Sequence, residues 1–162
     1  MKMPEKSWIE RLSDRGDSWF RASKLEKEGR FEEASRYYVE EAEKQKGKNL
    51  GMAAVSYLAA AKCLVKAGRK DEAVKLFRLA ASHYEKYAEE VLAVSPNSAL
   101  WGYQMASKSY MWAEDYKKAD ELLEKAKSLM DKLELKPVKV EISGDVPLFK
   151  TYKSRRGKED SK

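Results

Sequence analysis

Five sets of residues recur along this chain at the same two intervals, 39 and then 46 residues, and that regularity constrains the fold more than any other feature. Gly29, Gly68 and Glu114 form one set, and Ala22, Ala61 and Ser107 another. Leu25, Leu64 and Tyr110 form a third, Ala34, Ala73 and Ala119 a fourth, and Tyr38, Phe77 and Leu123 a fifth. Between them the apolar residues are spaced by three and four, which predicts helix throughout. Two sets hold small residues, which let antiparallel helices approach closely. Leucines and aromatics fill the space between them. A helix pair of this kind leaves one face open, and stacking on the next pair covers it.

Turn signals divide the chain into helices over 17–28, 31–46, 51–67, 70–94, 98–112 and 116–134, with a shorter one at about 6–15 around Trp8 and Leu12. Gly29, Gly47 and Gly68 mark breaks. At Ser95-Pro96-Asn97 the proline forbids continuation, and Asn97 or Ser98 can cap the helix that follows. Residues 1–16 therefore read as an arm or short helix, and 17–134 as the helical domain. Over 135–162 the pattern changes. Val138, Val140 and Ile142 alternate with Lys139 and Glu141, then Ser143-Gly144-Asp145 turns into Val146-Pro147-Leu148-Phe149. This predicts two short strands or an extended hairpin ahead of a basic tail. An isolated hairpin is marginal in water, so it must pack on the last helix pair, pair with another chain, or stay mobile.

Gly29-Arg30-Phe31-Glu32-Glu33-Ala34 and Gly68-Arg69-Lys70-Asp71-Glu72-Ala73, each followed four residues on by an aromatic, resemble the turn and second helix of tetratricopeptide repeats. Ala113-Glu114-Asp115-Tyr116-Lys117-Lys118-Ala119 resembles a degenerate third copy. The resemblance spans roughly residues 17–130. The intervals are longer than the family's usual 34 residues, and in this the chain is similar to the long-helix relatives of the soluble NSF attachment protein type. The resemblance implies an all-α solenoid of about three antiparallel helix pairs in a right-handed superhelix. It also implies a concave groove lined by the first helix of each pair, and a binding rather than a catalytic role.

Composition narrows the function classes. Within 162 residues there is one cysteine, Cys63, and one histidine, His83, so neither an internal disulfide nor a Cys-His or zinc set can be assembled. A chain of this length can bury a core without such staples. No apolar run exceeds about five residues, too short for a membrane span or a secretory core segment. The unpaired cysteine points to a reducing compartment, and the cytoplasm is the expected location. Thirty-three Lys and Arg against twenty-seven Asp and Glu give a net charge of +6, but both signs interleave, as on solvated helix faces. Two Asn and two Gln among so many Lys and Glu make a thermophile-like composition. No enzyme and no cofactor is expected.

Carried onto this sequence, the family's groove face holds Trp19, Ser23 and Lys27 in the first pair. The second pair contributes Val55, Leu58, Lys62, Val65 and Lys66, and the third Trp101, Gln104, Lys108, Met111 and Trp112. Lysines among aromatics suit a protein partner or an acidic peptide, whose carboxylates meet the lysines while its apolar side chains meet Trp101 and Trp112. The carboxylate clamp of some relatives needs paired Lys and Asn where this chain carries Trp19, Ser23, Ala59 and Trp101, so that activity is not implied. Two alternatives stand beside this reading. Lys150, Lys153, Arg155, Arg156 and Lys158, next to Phe149 and Tyr152, could hold phosphates and stack bases. The chain could also self-assemble as a structural homo-oligomer.

Overall fold

The computed structural model describes residues 8–133, with side chains from residue 17 onward. The expected hairpin and the basic tail lie outside the described residues. Six helices follow in order: α1 (Trp8–Lys27), α2 (Phe31–Gln45), α3 (Leu50–Lys66), α4 (Lys70–Val91), α5 (Pro96–Trp112) and α6 (Tyr116–Lys132). Among the described residues there is no strand. The chain divides into two compact units, Met1–Ala126 and Lys127–Lys162. Only the last part of α6 and Leu133 are described in the second.

The helices expected at 6–15 and 17–28 are one continuous helix. Gly16 lies inside α1, where a glycine costs about 1 kcal/mol relative to alanine but leaves the hydrogen-bond ladder intact. The cap of α5 also differs from expectation. Ser95 is the N-cap, its Oγ accepting from the Ser98 amide at 3.4 Å, because Pro96 takes the first helical position, where no amide proton is needed. Asn49 caps α3 by accepting from the Met52 amide at 3.1 Å.

Each helix from α1 to α4 packs on the next. The Ser107 hydroxyl of α5 donates to the Ala119 carbonyl of α6 at 2.7 Å. The turns inside the three pairs share one construction. The amides of Arg30, Arg69 and Asp115 reach back five residues to the carbonyls of Leu25, Leu64 and Tyr110, at 2.9, 2.8 and 2.9 Å. The amides of Gly29, Gly68 and Glu114 close the inner bond at 3.0 Å each. This double closure requires a left-handed residue after the helix end, and φ is +79°, +78° and +62° at Gly29, Gly68 and Glu114.

The small-residue sets supply the close approaches, since Ala22, Ala61, Ala34 and Ala73 are fully buried and Ser107 and Ala119 nearly so. Leu123 departs from its set. It is 40% exposed, whereas Tyr38 and Phe77 are buried, because no helix among the described residues follows α6. A close crossing joins α4 and α5 at Gly102, where an added Cβ would lie 2.9 Å from the Ala88 Cβ. α3 is apolar around much of its surface because α2 and α4 both pack on it. Three of the buried tyrosines donate their hydroxyls to carboxylates. Tyr38 donates to Glu26 Oε1 at 2.8 Å, Tyr57 to Glu43 Oε1 at 2.9 Å and Tyr110 to Glu85 Oε1 at 3.3 Å.

Candidate functional site

The end of α3, the start of α4 and the end of α5 enclose a cleft of about 440 Å³. Its apolar lining comes from Val65, Val74, Phe77 and Trp112, and three lysines, Lys62, Lys66 and Lys70, stand around it. The geometry follows from the local sequence. The turn at Gly68 reverses the chain between Lys66 and Lys70, so both ammonium groups reach one opening. Lys62 is one helical turn before Lys66 and shares its face. Val74 and Phe77 stand one and two turns into α4 from Lys70. Trp112, at the last position of α5, sets its ring 5.6 Å from that of Phe77 and stays 41% exposed.

The three lysines are not equivalent. Lys62 Nζ sits 5.3 Å from the centre of the Trp112 ring, a cation–π contact, and has no carboxylate partner among the described residues. Lys66 Nζ lies 3.6 Å from Glu26 Oε2 and 5.4 Å from the Phe31 ring centre. Lys70 Nζ lies 2.9 Å from Glu114 Oε1, and that bond raises the pKa of the Lys70 ammonium above its ordinary value. The cleft thus joins an apolar floor to one unpaired and two paired cations. It can hold an apolar side chain and a neighbouring anionic group.

Of the residues expected on the groove face, Lys62, Lys66, Val65 and Trp112 line this cleft. Leu58 is buried and belongs to the core. Trp19 packs edge-on against Tyr38, ring centres 4.9 Å apart, in a cluster that includes Ala22 and Cys63. Trp101 is 44% exposed but turns its ring against Tyr84 and Tyr87, at 5.5 and 6.0 Å. Lys27 and Lys108 are exposed and outside the cleft lining. Lys150, Lys153, Arg155, Arg156 and Lys158 lie outside the described residues. Lys70, Val74 and Phe77, together with the carboxylates of Glu26 and Glu114, were not among the expected site residues. Glu114 carried a readable signal, since it stands in the glycine set.

A second cleft, of about 470 Å³, lies between α2, the end of α3 and α4. Its central guanidinium, on Arg69, is bonded to both Glu32 and Glu72, which raise its pKa further. Arg36 and Lys75 also line this cleft. Burial pushes the Cys63 thiol up to about 11 and leaves it fully enclosed, so it is no nucleophile at neutral pH. His83 Nδ1 donates to the Leu79 carbonyl at 2.8 Å, and its ring lies 5.1 Å from that of Tyr57. Among the described residues no three His, Cys, Asp or Glu side chains are grouped to hold a metal ion, and no helix is long and apolar enough to cross a membrane. The chain matches no protein-family model, no curated protein and no solved structure.

Proposed function

We propose that this chain is a binding adaptor without catalytic activity, built from three tetratricopeptide-like helix pairs, and that it holds a protein partner or an acidic peptide in the cleft at Trp112. One observation carries the reading. A half-exposed tryptophan at the edge of an apolar floor, with an unpaired ammonium over its ring, is the composition of an interface anchor. The pair architecture is supported by the three identical turns and by the buried small-residue sets. Cytoplasmic location belongs to the same reading and rests on the single buried thiol.

The test compares three forms of the full chain: the parent, Lys62→Glu with Lys66→Glu, and a deletion of residues 150–162. The charge-reversed form should lose the partner captured by the parent at least tenfold, about 1.4 kcal/mol, while keeping its helical circular dichroism. The deletion should leave that complex unchanged. If the deletion instead abolishes capture, and the captured material is nuclease-sensitive, the basic tail is the site and the chain is a nucleic-acid-associated protein.

A further inference from the structure

The two paired lysines of the cleft are held by carboxylates that are themselves fixed in place. The Oε1 of Glu26 accepts from the buried Tyr38 hydroxyl at 2.8 Å, which leaves Oε2 turned toward Lys66. Glu114 is the only non-glycine residue with positive φ among the described residues, and it occupies the position that Gly29 and Gly68 hold in the other two turns. A left-handed conformation costs any residue with a Cβ, and such outliers collect where the side chain has a task. At Glu114 the side chain reaches across to Lys70 at the cleft.

From this geometry we infer that Glu26 and Glu114 fill two of the three cationic positions of the cleft in advance. The site therefore suits a peptide segment with a single carboxylate beside one large apolar side chain, and gives a polyanion little added affinity. The inference rests on the cleft being the binding site. A ligand carboxylate at Lys66 or Lys70 must displace a tethered one, whose effective concentration is high, so the exchange gains little. At Lys62 no carboxylate of the described residues has to be displaced. There a carboxylate meets the ammonium against the Trp112 face while the adjacent apolar side chain enters the space above Val74 and Phe77. A run of acids gains one ion pair, not three.

The experiment measures fluorescence anisotropy at low ionic strength with two labelled peptides of equal length. One carries a single Glu beside a Phe in a Gly/Ser background, and the other carries six consecutive Glu beside the same Phe. The full-length parent should bind the six-Glu peptide no more than about threefold tighter than the single-Glu peptide. In the Glu26→Gln, Glu114→Gln variant, affinity for the six-Glu peptide should rise at least tenfold and that for the single-Glu peptide less than threefold. Gln keeps an acceptor for the Tyr38 hydroxyl. Glu114→Gly alone, which restores the residue found in the other turns, should give part of the same gain if the double variant fails to fold. A parent that already prefers six Glu by tenfold, or variants with no gain, would overturn the selectivity while leaving the cleft as a binding site. Binding of neither peptide to any form would remove the cleft reading itself.

Discussion

Lys70, the first residue of α4, is ion-paired at 2.9 Å to Glu114, a residue in the backbone conformation that glycine adopts at the two matching turns. Both partners are at least half exposed, so solvent screens the pair and salt weakens it further. The left-handed strain at Glu114 is of order 1–2 kcal/mol. Glu114→Gly should therefore raise stability by about 1 kcal/mol in 0.5 M salt, and less at low salt, in chemical denaturation. A loss of stability at high salt would show that the turn is not strained.

The converse holds at Gly68. A Cβ there meets nothing within 4 Å, so Gly68→Ala isolates the conformational term from any clash. It should cost about 1–2 kcal/mol, with no change in helix content by circular dichroism. A neutral substitution would mean that residue 68 is not left-handed in solution.

At the α4–α5 crossing the opposite regime applies. Gly102→Ala would press its Cβ to 2.9 Å from that of Ala88 and 3.1 Å from the Tyr87 ring, and an α-carbon, which cannot rotate away, lies at 3.3 Å. Overpacking of this kind costs roughly 1–3 kcal/mol. Leucine at Ala61 or Ala73, both fully buried, should cost a similar amount. Unchanged unfolding midpoints in all three variants would mean that the helices pack less closely than described.

Alkaline pH should destabilise the fold. Burial is the first cause in each case: it raises Cys63 from 9.0 to about 11, and Tyr57, Tyr84 and Tyr110 from 10.0 to about 12. The unfolded chain releases these protons first. Their contribution is thus complete below the unfolded values and is lost as pH rises through the folded ones. Tm should fall steadily from pH 9.0 upward. A flat Tm up to about 11 would show that these groups reach solvent.

Much of this architecture is legible in the residue spacing, and particular residues show why. Ala61 and Gly68 each report a local requirement, room for a crossing or a left-handed φ, and local requirements leave a mark at a fixed place in the chain. The cleft is less legible. Trp101 and Trp112 occupy one face of α5 by spacing, yet only Trp112 reaches the cleft, because Tyr84 and Tyr87 engage the Trp101 ring. The contacts of Lys66 with Glu26 and of Lys70 with Glu114 join residues of different helix pairs. They depend on how the pairs stack, and no periodicity encodes that. The start of α5 lies two residues before the expected one for a simpler reason. Pro96 marks the end of one helix and also suits the first position of the next, and Ser95 before it decides between them.

The tyrosine hydroxyls have a consequence for how the chain assembles. Tyr38 of α2 reaches back to α1, Tyr57 of α3 to α2, and Tyr110 of α5 to α4. Each finds its acceptor on the helix synthesised just before its own. A nascent chain can therefore satisfy these three groups as it emerges, without waiting for any later segment. Contacts confined to neighbours in sequence favour rapid folding, and here they also give it a direction, from the first helix toward the last.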